Sequence, residues 1–384
     1  MKKILVVVII IIILLISSIK PKSLEKNEET RAVFISYIEL NEYVKANSIE
    51  ESKKNIDKMI SNIKKTKFNT IILQVRSCSD AIYNSKLFPY SMYVSGTEGK
   101  YFYDVLDYFI MKCHEKDMKL YAWINPYRVR TSEDVSTIAK DNPAYKYLET
   151  DTIYINKGIY FNPAKKEVEK LIVDGVKEVI KYDVDGVLFD DYFYPSDDID
   201  EKDYLEYLKS NKYITKEEYH LNNVNEMVKK VYSVCHKKKI KFGISPEGNI
   251  ENNYNKNYAD VKRWMKSDGY IDFIMPQVYY GFYNSTKDFA KVIKEWESLV
   301  TNDNIELLIA LAFYKVGRED KYAKEGRDEW MLSNNIIMRE IILSRNLNHY
   351  RGFALFRYDN LFDINSFTPN SINEIENMKK ILNY

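Results

Sequence analysis

Asp185-Gly186-Val187-Leu188-Phe189-Asp190-Asp191-Tyr192-Phe193-Tyr194-Pro195 is an apolar strand core that runs straight into two adjacent carboxylates, three aromatic rings and a chain-breaking proline. A buried strand normally closes on a Gly, Asn or Ser turn, because an unpaired carboxylate beside a core is costly to desolvate. Two side by side repel, so one of them holds its proton to a higher pH than a free Asp would. Such a strand end reads as the place where chemistry is done.

Seven further runs of the same kind surround it. They are Ala32 to Ile38, Thr70 to Val75, Lys119 to Ile124, Ile240 to Ile244, Ile271 to Met275, Ile305 to Phe313 and Gly352 to Phe356, with Gly186 to Phe189 fourth in order. All are short and apolar on both parities, as parallel strands covered on both faces should be. Helix-period segments fall between them: Ser52 to Lys65, Phe102 to His114, Lys166 to Lys181, Val224 to His236, Tyr258 to Lys266, Asp288 to Leu299, Asn335 to Arg345, and a closing one near Ser371 to Asn383. Strand and helix alternating eight times predicts an α/β fold of the (β/α)8 (TIM) barrel type over residues 31–384. A doubly wound open sheet fits less well, because no Gly-rich phosphate loop follows the first strand.

The polar residues collect at the C-terminal strand ends, where such barrels build their active sites. Strand two ends in Gln74-Val75-Arg76 and strand three in Trp123-Ile124-Asn125-Pro126-Tyr127-Arg128. Strand five ends in Ser245-Pro246-Glu247, strand six in Pro276-Gln277-Val278-Tyr279-Tyr280, and strand eight in Phe356-Arg357-Tyr358. The loop Ser77 to Lys100 is long for a compact domain and is expected to form a substrate wall over the mouth.

The termini and composition bound the rest. Met1-Lys2-Lys3 followed by the aliphatic run Ile4 to Ile16 reads as a signal peptide or membrane anchor over residues 1–20, and residues 21–30 as a polar tether. The expectation is an exported, cell-envelope protein that touches a membrane only through this segment. Lys+Arg 57 against Asp+Glu 56 leaves a formal charge of +1, which offers no field for nucleic acid. The richness in Lys, Ile and Asn accounts for most of the 33 tyrosines. Cys78, Cys113 and Cys235 have neither disulfide nor zinc spacing. His114, His220, His236 and His349 fall in helices or at helix ends, so no metal and no cofactor is expected. Asp197, Asp198, Asp200 and Glu201 read as a solvated acidic loop.

The motifs taken together resemble the glycosyl-hydrolase-like family ten, bacterial exported barrels associated with cell-wall glycan. The resemblance rests on Arg31-Ala32-Val33-Phe34, Gln74-Val75-Arg76 with Asp80-Ala81-Ile82-Tyr83, Ala122 to Arg128 and Tyr160-Phe161-Asn162-Pro163. It continues through Asp185 to Tyr192, Gly243-Ile244-Ser245-Pro246 and Pro276-Gln277-Val278-Tyr279, and so covers nearly the whole chain beyond the leader. The chain departs from the family pattern at Ser77-Cys78-Ser79, at Glu247 where an aromatic residue is usual, and at Phe34, Tyr90 and Tyr280 where tryptophan is frequent. The resemblance implies a glycosidase whose partner is a polysaccharide, the cell-wall glycan.

Asp190 and Asp191 are the candidate catalytic residues. Neighbouring carboxylates lie on one side of a bond, unlike the pairs that flank it in the usual double-displacement or inverting schemes. That adjacency suits a substrate-assisted route, in which the sugar's own 2-acetamido oxygen attacks while one Asp orients its N–H and the other protonates the leaving oxygen. An alternative pairs one of them with Glu247, which is otherwise a turn residue in Pro246-Glu247-Gly248. Another alternative is a non-catalytic carbohydrate-binding barrel at the cell surface. Asn125, Gln277, Tyr279 and Arg76 are expected to donate to sugar hydroxyls or developing charge, unless Arg76 is a structural partner of Asp80 or Asp190. Trp123 is either a stacking platform or core. Asp80, Tyr83, Tyr127, Arg128 and Tyr192 complete the substrate-binding candidates.

Overall fold

The computed structural model describes residues 28–210 and 213–383. The leader and nearly all of the tether lie outside the described residues. Eight parallel strands close into a barrel: β1 (Thr30–Ile35), β2 (Thr70–Arg76), β3 (Lys119–Ile124), β4 (Gly186–Phe189), β5 (Lys241–Ile244), β6 (Phe273–Ile274), β7 (Glu306–Leu311) and β8 (Tyr350–Leu355). Each pairs with its sequence neighbours, and β8 returns to β1 with Thr30 opposite Gly352 and Val33 opposite Leu355. The helices covering it are α1 (Ile49–Lys65), α2 (Val105–His114), α3 (Lys166–Val179), α4 (Lys216–His236), α5 (Val261–Lys266), α6 (Phe289–Leu299), α7 (Ile336–Ser344) and α8 (Pro369–Leu382). All eight expected strands and helices are present.

Alternation along the strands sorts the core into two layers. Ala32, Phe34, Ile72, Tyr121, Trp123, Leu188, Phe273, Met275, Leu308, Ala310 and Ala354 fill the barrel interior, and residues of the other parity pack under the helices. The interior is tight at its lower end. The Tyr121 and Phe273 rings lie 5.4 Å apart, and a Cβ at position 243 would stand 2.3 Å from the Phe273 ring. Gly243 is therefore what lets Phe273 cross the interior.

Three elements differ from expectation. Strand one stops at Ile35, not Ile38, because Ser36 caps the short helix Tyr37–Glu39 in a capping box with Glu39. The acidic run does not end in an open loop: Glu201–Ser210 is helical. Asp200 accepts hydrogen bonds from the Tyr194 hydroxyl at 2.7 Å and from His220 at 2.8 Å, and Asp197 from the Tyr258 hydroxyl at 2.8 Å. The chain between β3 and α3 carries a small antiparallel sheet of Arg128–Arg130, Ile159–Phe161 and Ile153–Ile155, which rises beside the mouth.

Candidate active site

Asp190 follows Gly186 and Leu188 in the inward series of β4, which points its side chain into the top of the barrel. It is 3% exposed. Trp123 Nε1 and Asn125 Nδ2 both donate to its Oδ2, at 3.0 and 3.1 Å. Asn125 is itself oriented, since its Oδ1 accepts from the Arg128 N–H at 3.1 Å. Asp191 lies nearer the surface and is held from the other side, where Gln277 Nε2 donates to its Oδ1 at 3.0 Å and to the Ser245 carbonyl at 3.0 Å. The ends of β3 and β6 thus grip one carboxylate each.

Burial, then the charge of Asp191, pushes Asp190 up to about 7 against the pull of Arg128 and the Trp123 N–H. Asp191 is raised as well, by burial and by Glu247, with the Gln277 bond acting the other way. Interacting groups of this kind lose their protons in two steps that belong to the pair. Up to about pH 7 the pair therefore keeps a proton. The Trp123 and Asn125 N–H groups, and more distantly that of Tyr192, favour the ionised form of Asp190, as the Gln277 amide does for Asp191.

The two carboxylates open onto a cavity of about 270 Å3. Phe34, Trp123, Tyr279, Tyr314 and Phe356 give it an aromatic face, with Phe34 edge-on to Trp123 at 5.5 Å and to Phe356 at 5.6 Å. Burial holds the Tyr279 hydroxyl well above its ordinary range, so it stays a neutral donor. Arg128 also lines the cavity, with its Nε on the Ser77 carbonyl at 3.0 Å and its guanidinium 5.2 Å from the Tyr192 ring.

Besides Ser36, two polar residues absent from the sequence-based candidates belong to this cavity. Gln74 (1% exposed) accepts the Tyr37 N–H through Oε1 at 3.0 Å and has no partner on Nε2. Ser245 (2% exposed) has no partner on its hydroxyl. Both stand at inward positions of their strands, a signal that counting every second residue from Ile72 or Gly243 would have revealed. Buried unpaired polar atoms on a cavity wall are expected to meet a ligand or ordered water.

Of the sequence-based set, Asp190, Asp191, Trp123, Asn125, Arg128, Tyr192, Gln277 and Tyr279 come together here. Arg76, Asp80 and Tyr83 do not. The Arg76 guanidinium stacks 3.8 Å over the Phe88 ring beneath α3. Asp80 accepts from Ser91 Oγ and from the Cys78 N–H, tying the strand-two loop to itself. Tyr83 is buried with its ring 5.6 Å from Tyr182. That loop contributes no residue to the lining and is no wall over the mouth. It supports the lining from behind, through Ser77 on Arg128 and Tyr93 packed 4.7 Å from Tyr37. Trp123 is committed to Asp190 through its N–H, so it serves as a carboxylate partner more than as a free platform. Tyr127 is buried and lines a neighbouring cavity. Glu247 lines another, and Asn252 Nδ2 donates to its carboxylate at 2.6 Å, as fits a turn residue.

A closed parallel barrel with two adjacent carboxylates and amide donors at its C-terminal mouth is an arrangement on which glycosidic-bond chemistry can be built. The glycosyl hydrolase-like 10 profile matches residues 29–330, and the chain belongs to that family. Glycosyl hydrolase YngK of Bacillus subtilis (strain 168) is 30% identical over 364 residues, 88% of this chain and 69% of that protein. Glycosyl hydrolase DigH of Escherichia coli (strain K12) is 31% identical over 338 residues, 80% and 75% of the two chains. Among solved structures, the glycoside hydrolase domain of PgaB (BpsB) from Bordetella bronchiseptica shares the fold at a TM-score of 0.54 and 12% identity, covering 91% of this chain and 99% of that one. The endo-1,4-beta-mannanase of Rhizomucor miehei does so at 0.56 and 11%, covering 94% and 96%. The protein is a glycosidase.

Proposed function

We propose that this glycosidase is exported and hydrolyses the N-acetylated glycan strands of the bacterial cell wall, peptidoglycan, with the substrate's 2-acetamido group as the nucleophile. The observation that carries this reading is the distribution of carboxylates. Asp190 and Asp191 are the only acidic residues among the described residues lining the catalytic cavity, and they are consecutive on one strand end. A double-displacement enzyme needs its second carboxylate about 5 Å away across the bond, and an inverting one needs it farther. The rest of the lining is aromatic, aliphatic, hydroxyl, amide and Arg128. A nucleophile supplied by the sugar fills that gap, and an aromatic face suits an acetamido methyl.

The roles follow from depth and hydrogen bonding. Asp190, deep and anchored by Trp123 and Asn125, is the carboxylate that accepts the acetamido N–H and stabilises its developing positive charge. Asp191, nearer the open side, carries the shared proton and gives it to the glycosidic oxygen. The acetamido oxygen bonds to the anomeric carbon as the bond to the leaving oxygen breaks, giving an oxazolinium. Water then attacks the anomeric carbon, its proton passes to Asp191, and the ring reopens to the N-acetyl sugar with retained configuration. Gln277 fixes Asp191, and Tyr279 and Gln74 donate to ring hydroxyls. The leader sequence supports delivery to the envelope, where such glycan is found.

Peptide-free glycan strands incubated with wild type, Asp190→Asn, Asp191→Asn and Glu247→Gln test the assignment by counting reducing ends. The expected losses are about 100-fold or more for each Asp variant, in the range that removal of a positioned acid–base group produces. Glu247→Gln is expected to stay within severalfold of wild type. Equal rates for wild type and both Asp variants would remove the mechanism. Loss confined to Glu247→Gln and one Asp variant would install the two-carboxylate scheme in its place.

A further inference from the structure

Beside the catalytic cavity, and sharing the Tyr192 wall with it, is a second cavity of about 350 Å3. It is lined by Tyr127, Asn156, Lys157, Tyr160, Tyr192, Phe193, Tyr194, Pro195 and Asn257. Its walls come from three separate excursions of the chain: the small sheet after β3, the loop after β4 and the loop after the short helix Ile250–Asn255. Nothing in the catalytic proposal uses it.

The local build is specific. The hairpin joining Ile153–Ile155 to Ile159–Phe161 turns through Asn156-Lys157-Gly158, with the Asn156 N–H on the Gly158 carbonyl at 3.0 Å. Lys157 takes a left-handed φ of 50°, and the Lys157 N–H donates to the Glu133 carboxylate at 2.6 Å. A Cβ at position 158 would lie 2.8 Å from the Tyr160 hydroxyl, so Gly158 is what lets that ring lean over the turn. Tyr192, also in the lining and 50% exposed, is backed by the Arg128 guanidinium. Two tyrosine rings therefore line the cavity, one against a glycine turn and the other against a cation.

The polar groups around them are unspent. Among the described residues, no hydrogen-bond or ion-pair partner is found for the Lys157 ammonium, the Tyr160 hydroxyl or the Asn257 side-chain amide. The Tyr127 hydroxyl at the base is buried without a partner. Aromatic faces combined with unpaired amide, hydroxyl and ammonium groups match a pyranose ring, which has apolar C–H faces and an equatorial rim of hydroxyls. An apolar peptide or a lipid chain would leave those polar groups unsatisfied.

We infer that this cavity is a distal subsite for a further sugar unit of the same glycan chain, stacked between Tyr160 and Tyr192 and hydrogen-bonded by Asn257 and Lys157. It rests on the glycosidase reading above and extends it, because a chain seated here must continue past Tyr192 into the catalytic cavity. The enzyme then grips the interior of a glycan and not a terminal disaccharide alone.

Titration calorimetry of Asp191→Asn protein with N-acetylated oligosaccharides of two and of six sugars tests this directly, because no turnover is needed. Binding is expected to tighten by about tenfold from the short to the long ligand, on the scale of one aromatic stacking contact. A second substitution, Tyr160→Ala or Asn257→Ala, is expected to erase that gain, whereas Tyr160→Phe retains the stacking part of it. Melting temperatures of the double variants report whether each is folded, and two independent loops are being altered. No dependence on length, or a gain that survives both Tyr160→Ala and Asn257→Ala, would overturn the distal subsite. Failure of the catalytic reading looks different: wild type would release no reducing ends from either ligand even though Asp191→Asn protein binds the longer one more tightly.

Discussion

At the scale of the residue, the two aspartates are both raised but do not have one environment. Asp190 is 3% exposed with two N–H donors on a single oxygen, and Asp191 has one amide donor and the more open position. The proposed division of labour can be separated with an aryl N-acetylglucosaminide whose leaving group needs no acid. Asp191→Asn is expected to recover most of its lost rate on that substrate, and Asp190→Asn is not; recovery by Asp190→Asn instead would exchange the roles. The sign of the pH dependence follows from the raised values. A proton-bearing pair persists upward to about 7, set by burial and mutual repulsion at Asp190. The rate should therefore fall as pH rises beyond that point, and fall again in acid when both groups are protonated. A kcat profile still rising above pH 8 would show that no carboxylic acid donates the proton. Asp190 and Asp191 were legible in the sequence because paired carboxylates after an apolar run are conspicuous. Gln74 and Ser245 were not, since a neutral polar residue at an inward position looks like any other until strand parity is counted.

At the scale of the element, contacts between segments distant in sequence decide what a residue does. Arg76 sits next to the site in sequence, yet α3 claims it. A Cβ at Gly175 of α3 would lie 2.2 Å from Arg76 Nη1 and 2.9 Å from the Phe88 ring. Gly175→Ala should thus destabilise by roughly 1–3 kcal/mol through overpacking, although in an exposed helix the same change would add about 1 kcal/mol of stability. A denaturant midpoint unchanged or raised would show that α3 does not press on Arg76. The same remoteness hid Tyr83, whose ring meets Tyr182, while Asp80 is taken up by Ser91 and Cys78 of its own loop. Barrel closure provides a second case. Glu29 takes Arg345 Nε at 2.7 Å and Nη2 at 2.8 Å, Arg31 Nε at 2.8 Å and the Tyr350 hydroxyl at 2.8 Å. It thereby fastens the start of β1 to the start of β8, and brings into the fold a residue that composition alone assigns to the tether. Although burial opposes the charge, these three partners hold the Glu29 carboxyl down at about 2 against an ordinary 4.5. A depressed carboxylate contributes stability above its unfolded value and loses it as pH falls through the folded one. Glu29→Gln is accordingly expected to cost roughly 1–3 kcal/mol at neutral pH, with the difference from wild type shrinking between pH 4.5 and 2. A difference constant across that window would point to packing and not charge.

At the scale of the whole molecule, the barrel was legible because each buried parallel strand is an unbroken apolar run, and eight of them alternate with helical periods. The rim was less so. The small sheet after β3 and the helix Glu201–Ser210 are short, polar on their outer faces and stabilised by pairings across the loops. The strand-two loop, long enough to suggest a wall, is spent on supporting Tyr37 and Arg128 from behind. What the assembled mouth offers is an open, aromatic-faced cavity with both acids on one strand end, and beside it a second, tyrosine-lined cavity that shares Tyr192. Among the described residues no carboxylate of the catalytic lining faces the pair, and the proposed mechanism gives that place to an acetamido group of the substrate. The direct test is the rate of reducing-end release by wild type from one glycan preparation before and after chemical de-N-acetylation. Cleavage of the N-acetylated glycan, falling by about 100-fold or more once the acetyl groups are removed, is the expected result, since a lost intramolecular nucleophile forfeits a large effective concentration. Equal cleavage of the two preparations would contradict it.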